Sequence, residues 1–343
     1  MQQPIVKLSR ITRSFTKGGG VLGGSPQRID VLRNINLSIY PGEVTCLVGE
    51  SGCGKTTTGK IIAGLLPPTT GQVLYEGHDL GRLNKAAFTK YRKAVQLIHQ
   101  DPYAALNPTH TVYSILSAPM FRHKLVRTKQ DAVNRVADLL ETVDLTPVQD
   151  FVSKYPHQLS GGQRQRVVVA RSLILKPRLI VADEPVSMLD VSIRLSVIGL
   201  LRRLQEQMQV AFLFITHDLA MAKYFGVKGN IAVMYLGEIV EFGPAPLVIN
   251  QPKHPYTQAL LKAIPEPDPK ITRAKEPIRL RSLDIPDLAE LPSGCTFHPR
   301  CPDYIEGLCE AATPPLIKES DERQVACYLY NGQHALVPER GLV

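Results

Sequence analysis

Two short stretches of this 343-residue sequence carry residues whose types and spacing suit phosphate chemistry. The first, G-E-S-G-C-G-K-T at 49–56, fits the P-loop pattern G-x-x-x-x-G-K-[ST]. Glycines at 49, 52 and 54 let successive backbone N–H groups converge on phosphate oxygens without side-chain collision. Lys55 can reach the β- and γ-phosphates of ATP, and the Thr56 hydroxyl can ligate Mg²⁺. The candidate ATP contacts are Gly49, Ser51, Gly52, Cys53, Gly54, Lys55, Thr56 and Thr57. The second stretch, L-I-V-A-D-E-P at 179–185, ends an apolar run in two carboxylates. Asp183 is suited to hold Mg²⁺ through water, and Glu184 to polarise the water that attacks the γ-phosphate. Alone, an Asp-Glu pair after a strand is usually a turn; beside a P-loop it is the expected partner.

A third stretch, L-S-G-G-Q at 159–163, reads as a helix N-terminus with free N–H groups, a second phosphate-binding device. It follows the first by far too many residues to be assigned to the same site within one chain.

These groups must be positioned by an alternating α/β frame. Residues 1–40 read as alternating short strands around a Gly-rich turn at 18–24. A short apolar strand at 43–48 runs into the P-loop, which opens a helix over about 56–66, stopped by Pro67 and Pro68. A further strand is expected at 91–99. Over about 101–165 strand signals vanish, and helical spacing appears at 112–120 and 130–143. Strands return at 179–182 and 211–216, with a helix over 192–208 between them. From His254 onward the composition shifts: 12 of the 27 prolines and four of the six cysteines fall in the last 90 residues. This predicts a small, loop-rich appendage. Cys46 and Cys53 are expected to fill core and loop.

Together, the L-S-G-G-Q stretch and the R-Q-R-V that follows it closely resemble the signature of ATP-binding-cassette (ABC) ATPases. The resemblance implies a RecA-like P-loop core with a helical subdomain. It also implies head-to-tail pairing of two ATPase subunits, each ATP lying between one P-loop and the other chain's Ser160, Gly161, Gly162 and Gln163. By resemblance, Gln100 is the Q-loop glutamine and a Mg²⁺ contact, Asp190 belongs to the D-loop, His217 is the switch histidine, and Phe15 stacks on adenine. Glu184, His217 and Gln100 are then the catalytic set, and Thr56, Gln100 and Asp183 surround Mg²⁺. Met188 departs from the small alanine usual in the D-loop.

The stretches Q-D-P-Y-A-A-L-N-P at 100–108 and H-P-Y-T-Q-A-L-L at 254–261, with the terminal cysteines, narrow the resemblance to oligopeptide/dipeptide importer ATPases. That implies an ATPase domain over 1–253, with its helical subdomain at about 101–165, and a C-terminal domain over 254–343. It further implies a second, related ATPase subunit, two transmembrane permease subunits and an extracytoplasmic solute-binding protein. The chain would sit peripherally on the cytoplasmic face of the inner membrane. Peptide is the expected solute, with sugars and metal complexes as alternatives.

Cys295, Cys301, Cys309 and Cys327 are separated by 5, 7 and 17 residues, wider than common zinc knuckles. Four thiolates can hold a 4Fe–4S cluster, which the family resemblance favours; zinc and free thiols stay open. His298 is a bystander.

Lys and Arg exceed Asp and Glu by 40 − 31 = 9, which suits an anionic ligand without choosing one. Trp is absent, and no stacking platform for single-stranded nucleic acid is evident, so no nucleic-acid partner is expected. No apolar run approaches the roughly 18 residues of a membrane span. A ribosome- or nucleic-acid-directed ABC ATPase usually carries two cassettes or a long coiled coil. An exporter cassette is usually fused to membrane helices. One P-loop and one signature, without either feature, argue for the importer class.

Overall fold

The computed structural model describes residues 2–17, 27–264, 279–320 and 322–330. The chain runs β1 (Val6–Lys17), β2 (Gln27–Ile39), β3 (Val44–Val48), α1 (Lys55–Ile62), β4 (Thr70–Tyr75), β5 (His78–Asp79), α2 (Lys85–Ala94) and β6 (Val95–Ile98). The helical stretch follows with α3 (Pro102–Ala105), α4 (Val112–Arg122), α5 (Lys129–Thr142), α6 (Gln149–Val152) and α7 (Gly161–Leu173). Then come β7 (Leu179–Asp183), α8 (Val191–Met208), β8 (Ala211–Thr216), α9 (Leu219–Phe225), β9 (Asn230–Tyr235), β10 (Glu238–Pro244), α10 (Ala245–Asn250), α11 (Pro255–Lys262), β11 (Ile317–Lys318) and β12 (Gln324–Val325).

Two sheets form. An antiparallel one has the order β2-β1-β4-β5, and the main one the order β11-β12-β10-β9-β3-β8-β7-β6. In the main sheet β9, β3, β8, β7 and β6 are mutually parallel, so both faces must be covered. β8 shows how the sequence achieves this. All six of its residues are buried, but Phe212 and Phe214 enter one core while Ala211, Leu213 and Ile215 enter the other. The first core extends into the helical stretch through Leu116, Val136 and Leu140; the second lies against the antiparallel sheet.

Three local expectations change. The strands at the N-terminus are long, 12 and 13 residues, with register shifts along their pairing; the turn expected at 18–24 lies outside the described residues. The first helix stops at Ile62, short of Leu66. Gly64, at φ +64°, lets Leu65 N–H bond the Lys60 carbonyl at 2.9 Å and Gly64 N–H bond the Ile61 carbonyl at 3.0 Å. That pair of bonds is a Schellman cap, so the glycine ends the helix before the prolines are reached. The strand expected from Tyr91 is only four residues long, and Tyr91 lies on α2. Asn84 caps that helix, its side chain accepting from Ala87 N–H, and Phe88 and Tyr91 share its inward face. Tyr91 is fully buried and donates its hydroxyl to the Ile62 carbonyl.

The C-terminal residues are loop-rich but continuous with the main sheet: Val325 and Gln324 pair with Glu241 and Phe242 of β10. Among the described residues, no helix is long and apolar enough to cross a membrane.

Candidate nucleotide site

Parallel pairing brings the chemistry-bearing residues to one edge of the sheet. Val48, which ends β3, is level with Thr216 of β8, and Ile215 is level with Asp183 of β7. The P-loop, Asp183-Glu184, His217 and Gln100 therefore all emerge at the carboxyl ends of adjacent strands, where open α/β sheets bind ligands. The approach is close. A Cβ on Gly49 would lie 2.1 Å from the Met234 carbonyl oxygen of the neighbouring strand, so only glycine fits there.

A cavity of about 280 Å³ opens at this edge, lined by Val31, Ser51, Gly52, Gly54, Lys55, Thr56, Thr57, Gln100 and Glu184. Lys55 is buried and donates to the carbonyls of Gly49 and Glu50, both at 2.8 Å. The Thr56 hydroxyl donates to Asp183 Oδ1 at 3.1 Å. Burial pushes the Asp183 carboxyl above its ordinary range, and the Thr56 hydrogen bond partly opposes that. A hydroxyl and a carboxylate in contact, next to the anion cradle, are hard oxygen donors of the kind Mg²⁺ takes.

Glu184 stands between two partners. Gln100 Nε2 donates to its Oε2 at 3.1 Å, and His217 Nδ1 lies 3.2 Å from its Oε1. Its backbone is left-handed at φ +45° and its N–H bonds the Ile215 carbonyl at 3.0 Å. A glutamate held in that region costs on the order of 1–3 kcal/mol, strain typical of functional positions. The three expected catalytic residues thus meet at the Glu184 carboxylate, and Gln100 and Glu184 line the cavity.

Other expected residues lie apart from the cavity. Ser160 caps α7: its hydroxyl accepts from Gln163 N–H at 3.3 Å, while Gln163 Oε1 accepts from Ser160 N–H at 3.0 Å. Gly161 and Gly162 open the same helix. None of Ser160, Gly161, Gly162 and Gln163 lines the cavity. Asp190 is the exposed cap position of α8, making no side-chain cap bond. Phe15 is exposed on β1, with the Arg13 guanidinium 4.7 Å from its ring centroid. Cys46 and Cys53 are buried as expected.

Sequence reasoning missed Tyr256 and Arg300. The Tyr256 hydroxyl accepts from Glu50 N–H at 2.9 Å, and Arg300 pairs with the Glu50 carboxylate at 3.0 and 3.2 Å. No local pattern could signal contacts between residues 206 and 250 positions apart.

The four C-terminal cysteines do come together. Cys295, Cys301, Cys309 and Cys327 line one cavity, and Cys295 N–H bonds the Cys309 carbonyl at 2.7 Å. The cavity holds only about 10 Å³, and no group of three or more His, Cys, Asp or Glu among the described residues is arranged to hold a metal ion. Burial pushes the Cys295 thiol up to about 11 and those of Cys301 and Cys327 to about 12. The four thiols converge on one small pocket without a metal-holding arrangement among the described residues, so the structure gives the expected 4Fe–4S cluster no support beyond that convergence.

The sequence matches the ABC transporter family over residues 32–187. It is 42% identical over 327 residues to the putative oligopeptide transport ATP-binding protein YkfD of Bacillus subtilis, covering 95% of this chain and 96% of that one. This chain belongs to the ABC transporter ATP-binding proteins. Within the ABC family it also matches the oligopeptide/dipeptide transporter C-terminal region, over residues 240–309. It is 41% identical over 302 residues to the oligopeptide transport ATP-binding protein OppF of Salmonella typhimurium, covering 88% of each chain. Among solved structures, a dimeric ATP-binding cassette in a post-hydrolysis state, bound to ADP and Pi, superimposes with a TM-score of 0.61 at 30% identity. That match covers 70% of this chain and 98% of the other. The ABC ATPase fold and enzyme class read from the sequence are therefore both found.

Proposed function

We propose that this chain is the ATP-hydrolysing subunit of an importer for dipeptides or oligopeptides. The observation that carries the enzymatic part is the Gln100–Glu184–His217 group beside the Thr56–Asp183 pair and the P-loop. Backbone N–H groups of 51–57 and Lys55 bind the phosphates; Thr56, Asp183 and Gln100 hold Mg²⁺, which neutralises charge on the phosphoryl oxygens when bound. Glu184 accepts a proton from the attacking water, and His217 and Gln100 orient its carboxylate. Phe15 stacks on adenine. The peptide assignment is supported by the matched C-terminal region and the named relatives.

The ATP site is completed in trans. Ser160, Gly161, Gly162 and Gln163, with Asp190, belong to the site of a second ATPase subunit, a related chain; their place outside this chain's cavity supports that reading. Residues 1–253 serve as the ATPase domain, with 101–165 as its helical part, and 254–343 as the C-terminal domain.

Two transmembrane permease subunits and an extracytoplasmic binding protein complete the assembly at the cytoplasmic face of the inner membrane. The permease contact is residues 101–108 and the groove beside them, a cavity of about 710 Å³. Arg92, Lys93, His110, Arg122, His123 and Arg171 line it and no acidic residue does, which suits a membrane-subunit helix with acidic groups. Tyr103 in this loop has the Arg164 guanidinium of α7 over its ring, 3.9 Å from the centroid, a direct link from the loop to the signature helix.

The 4Fe–4S cluster is supported by the convergence of four thiols on one small pocket. Iron and acid-labile sulfide assays on anaerobically purified protein settle it.

For the importer reading, the chain is reconstituted with its permease subunits in vesicles containing binding protein. Peptide-loaded binding protein raises ATP turnover. Turnover indifferent to peptide, or raised only by sugar or metal complexes, overturns the peptide assignment.

A further inference from the structure

Glu50, the second residue of the P-loop, is held by groups that arrive from the far end of the chain. Its N–H donates to the Tyr256 hydroxyl at 2.9 Å. Its carboxylate takes both Arg300 Nη atoms, at 3.0 and 3.2 Å. Its carbonyl accepts from Lys55 Nζ. Arg300 is itself fixed. Nη1 also donates to the Tyr235 hydroxyl at 3.3 Å, and the guanidinium lies 5.7 Å from the ring centroids of both Tyr235 and Phe297. Tyr235, Tyr256 and Phe297 are each 1% exposed and mutually in contact, with centroids 4.5 to 5.5 Å apart. This aromatic cluster joins the end of β9, the start of α11 and the cysteine-bearing loop.

The charge at this point has a consequence for the ligand. Glu50 adjoins Ser51 and Gly52, which line the phosphate cavity, so an unpaired carboxylate there would repel the polyphosphate. With the fork-to-carboxylate pair in place, the local charge is neutral and the loop is pinned at Glu50. Lys55, which rests on the Gly49 and Glu50 carbonyls, leaves them to reach phosphate, and the position of Glu50 sets that resting point.

We propose that Arg300 and Tyr256 are positioning residues of the P-loop: Arg300 neutralises Glu50, Tyr256 fixes its backbone, and the C-terminal segment thereby sets nucleotide affinity. This rests on reading the cavity as the ATP site.

The test measures MgATP affinity of the full chain by titration calorimetry for wild type, Arg300→Met, Glu50→Gln and the double variant, with Lys55→Ala alongside. Arg300→Met is expected to raise Kd about tenfold, by leaving the Glu50 charge unpaired beside the phosphates. Glu50→Gln added to Arg300→Met is expected to restore most of that loss, and rising salt to shrink it. A packing role alone would not give rescue by removal of the second charge. Wild-type Kd in Arg300→Met, or no recovery in the double variant, overturns the proposal. If Arg300→Met does not fold, Arg300→Gln, which also removes the charge, and Tyr256→Phe carry the test. Unchanged Kd in both overturns it, and a raised Kd in both at wild-type Tm supports it. A wild-type chain that binds no MgATP defeats the reading of the ATP site itself. Normal wild-type binding, lost in Lys55→Ala and unaltered in Arg300→Met, defeats only this inference.

Discussion

Replacing Glu184 with Gln separates shape from basicity in the hydrolytic group. Glu184 makes two side-chain contacts, at 3.1 Å with Gln100 and 3.2 Å with His217. A glutamine can keep the same geometry, its amide oxygen accepting from Gln100 Nε2 and its amide N–H₂ facing His217 Nδ1. The left-handed backbone at 184 suits glutamine no worse than glutamate, so the fold and the cavity survive. Only the ability to accept a proton is lost. A positioned general base contributes about 10²–10⁴ in rate. At 1.36 kcal/mol per decade, that is about 2.7–5.4 kcal/mol of barrier. Phosphate release by the assembled transporter should fall by about that factor, and MgATP Kd should stay within about twofold of wild type. Turnover at the parental rate would show that Glu184 is not the base. A large rise in Kd with little change in turnover would show instead that its contacts serve binding.

Lys55→Ala should raise nucleotide Kd by about two orders of magnitude, because it removes the one buried cation of the cradle; calorimetry on the isolated chain reads this. The isolated chain should be monomeric and slow, and MgATP should drive association most clearly in Glu184→Gln; analytical ultracentrifugation showing full activity in a dilute monomer would refute completion in trans. Cysteines placed at Tyr103 or Ala105 should crosslink to the permease, and charge reversal at Arg122 should weaken transport more than isolated-chain ATPase; crosslinks absent from the permease would move the contact elsewhere. His254 caps α11 through Nδ1, which accepts from Tyr256 N–H at 3.1 Å, and burial holds its pKa down to about 3. Because the unfolded chain protonates at this position near 6.5 and the folded chain does not, stability falls as pH drops from about 6.5 toward 3, by at most about 1.4 kcal/mol per pH unit. His254→Asn keeps a cap and should flatten that slope in denaturant titrations at pH 4 to 7; an unchanged slope would place the proton elsewhere.

The chain by itself determined the chemistry that lies on contiguous residues. The P-loop, the Asp183-Glu184 pair and the signature are each written within a few positions, because an N–H cradle or a strand-end carboxylate is a local backbone device. Continuous apolar runs made β7 and β8 legible, because strands of a parallel sheet are covered on both faces. Boundaries were less so. Tyr91 read as a strand residue because a β-former just ahead of the V-Q-L-I stretch looks like its beginning, until its packing on Ile62 decides. The first helix ended at Gly64 because a left-handed glycine closes the backbone bonds sooner than a proline forbids them. Tertiary structure alone decided what meets what. Parallel register sets Gln100, Glu184 and His217 side by side. The fold of the C-terminal residues carries Tyr256 and Arg300 onto Glu50 and gathers four cysteines around one small pocket. Such contacts depend on where strands cross and chains return, and no spacing along the sequence encodes the distance between residues 250 positions apart.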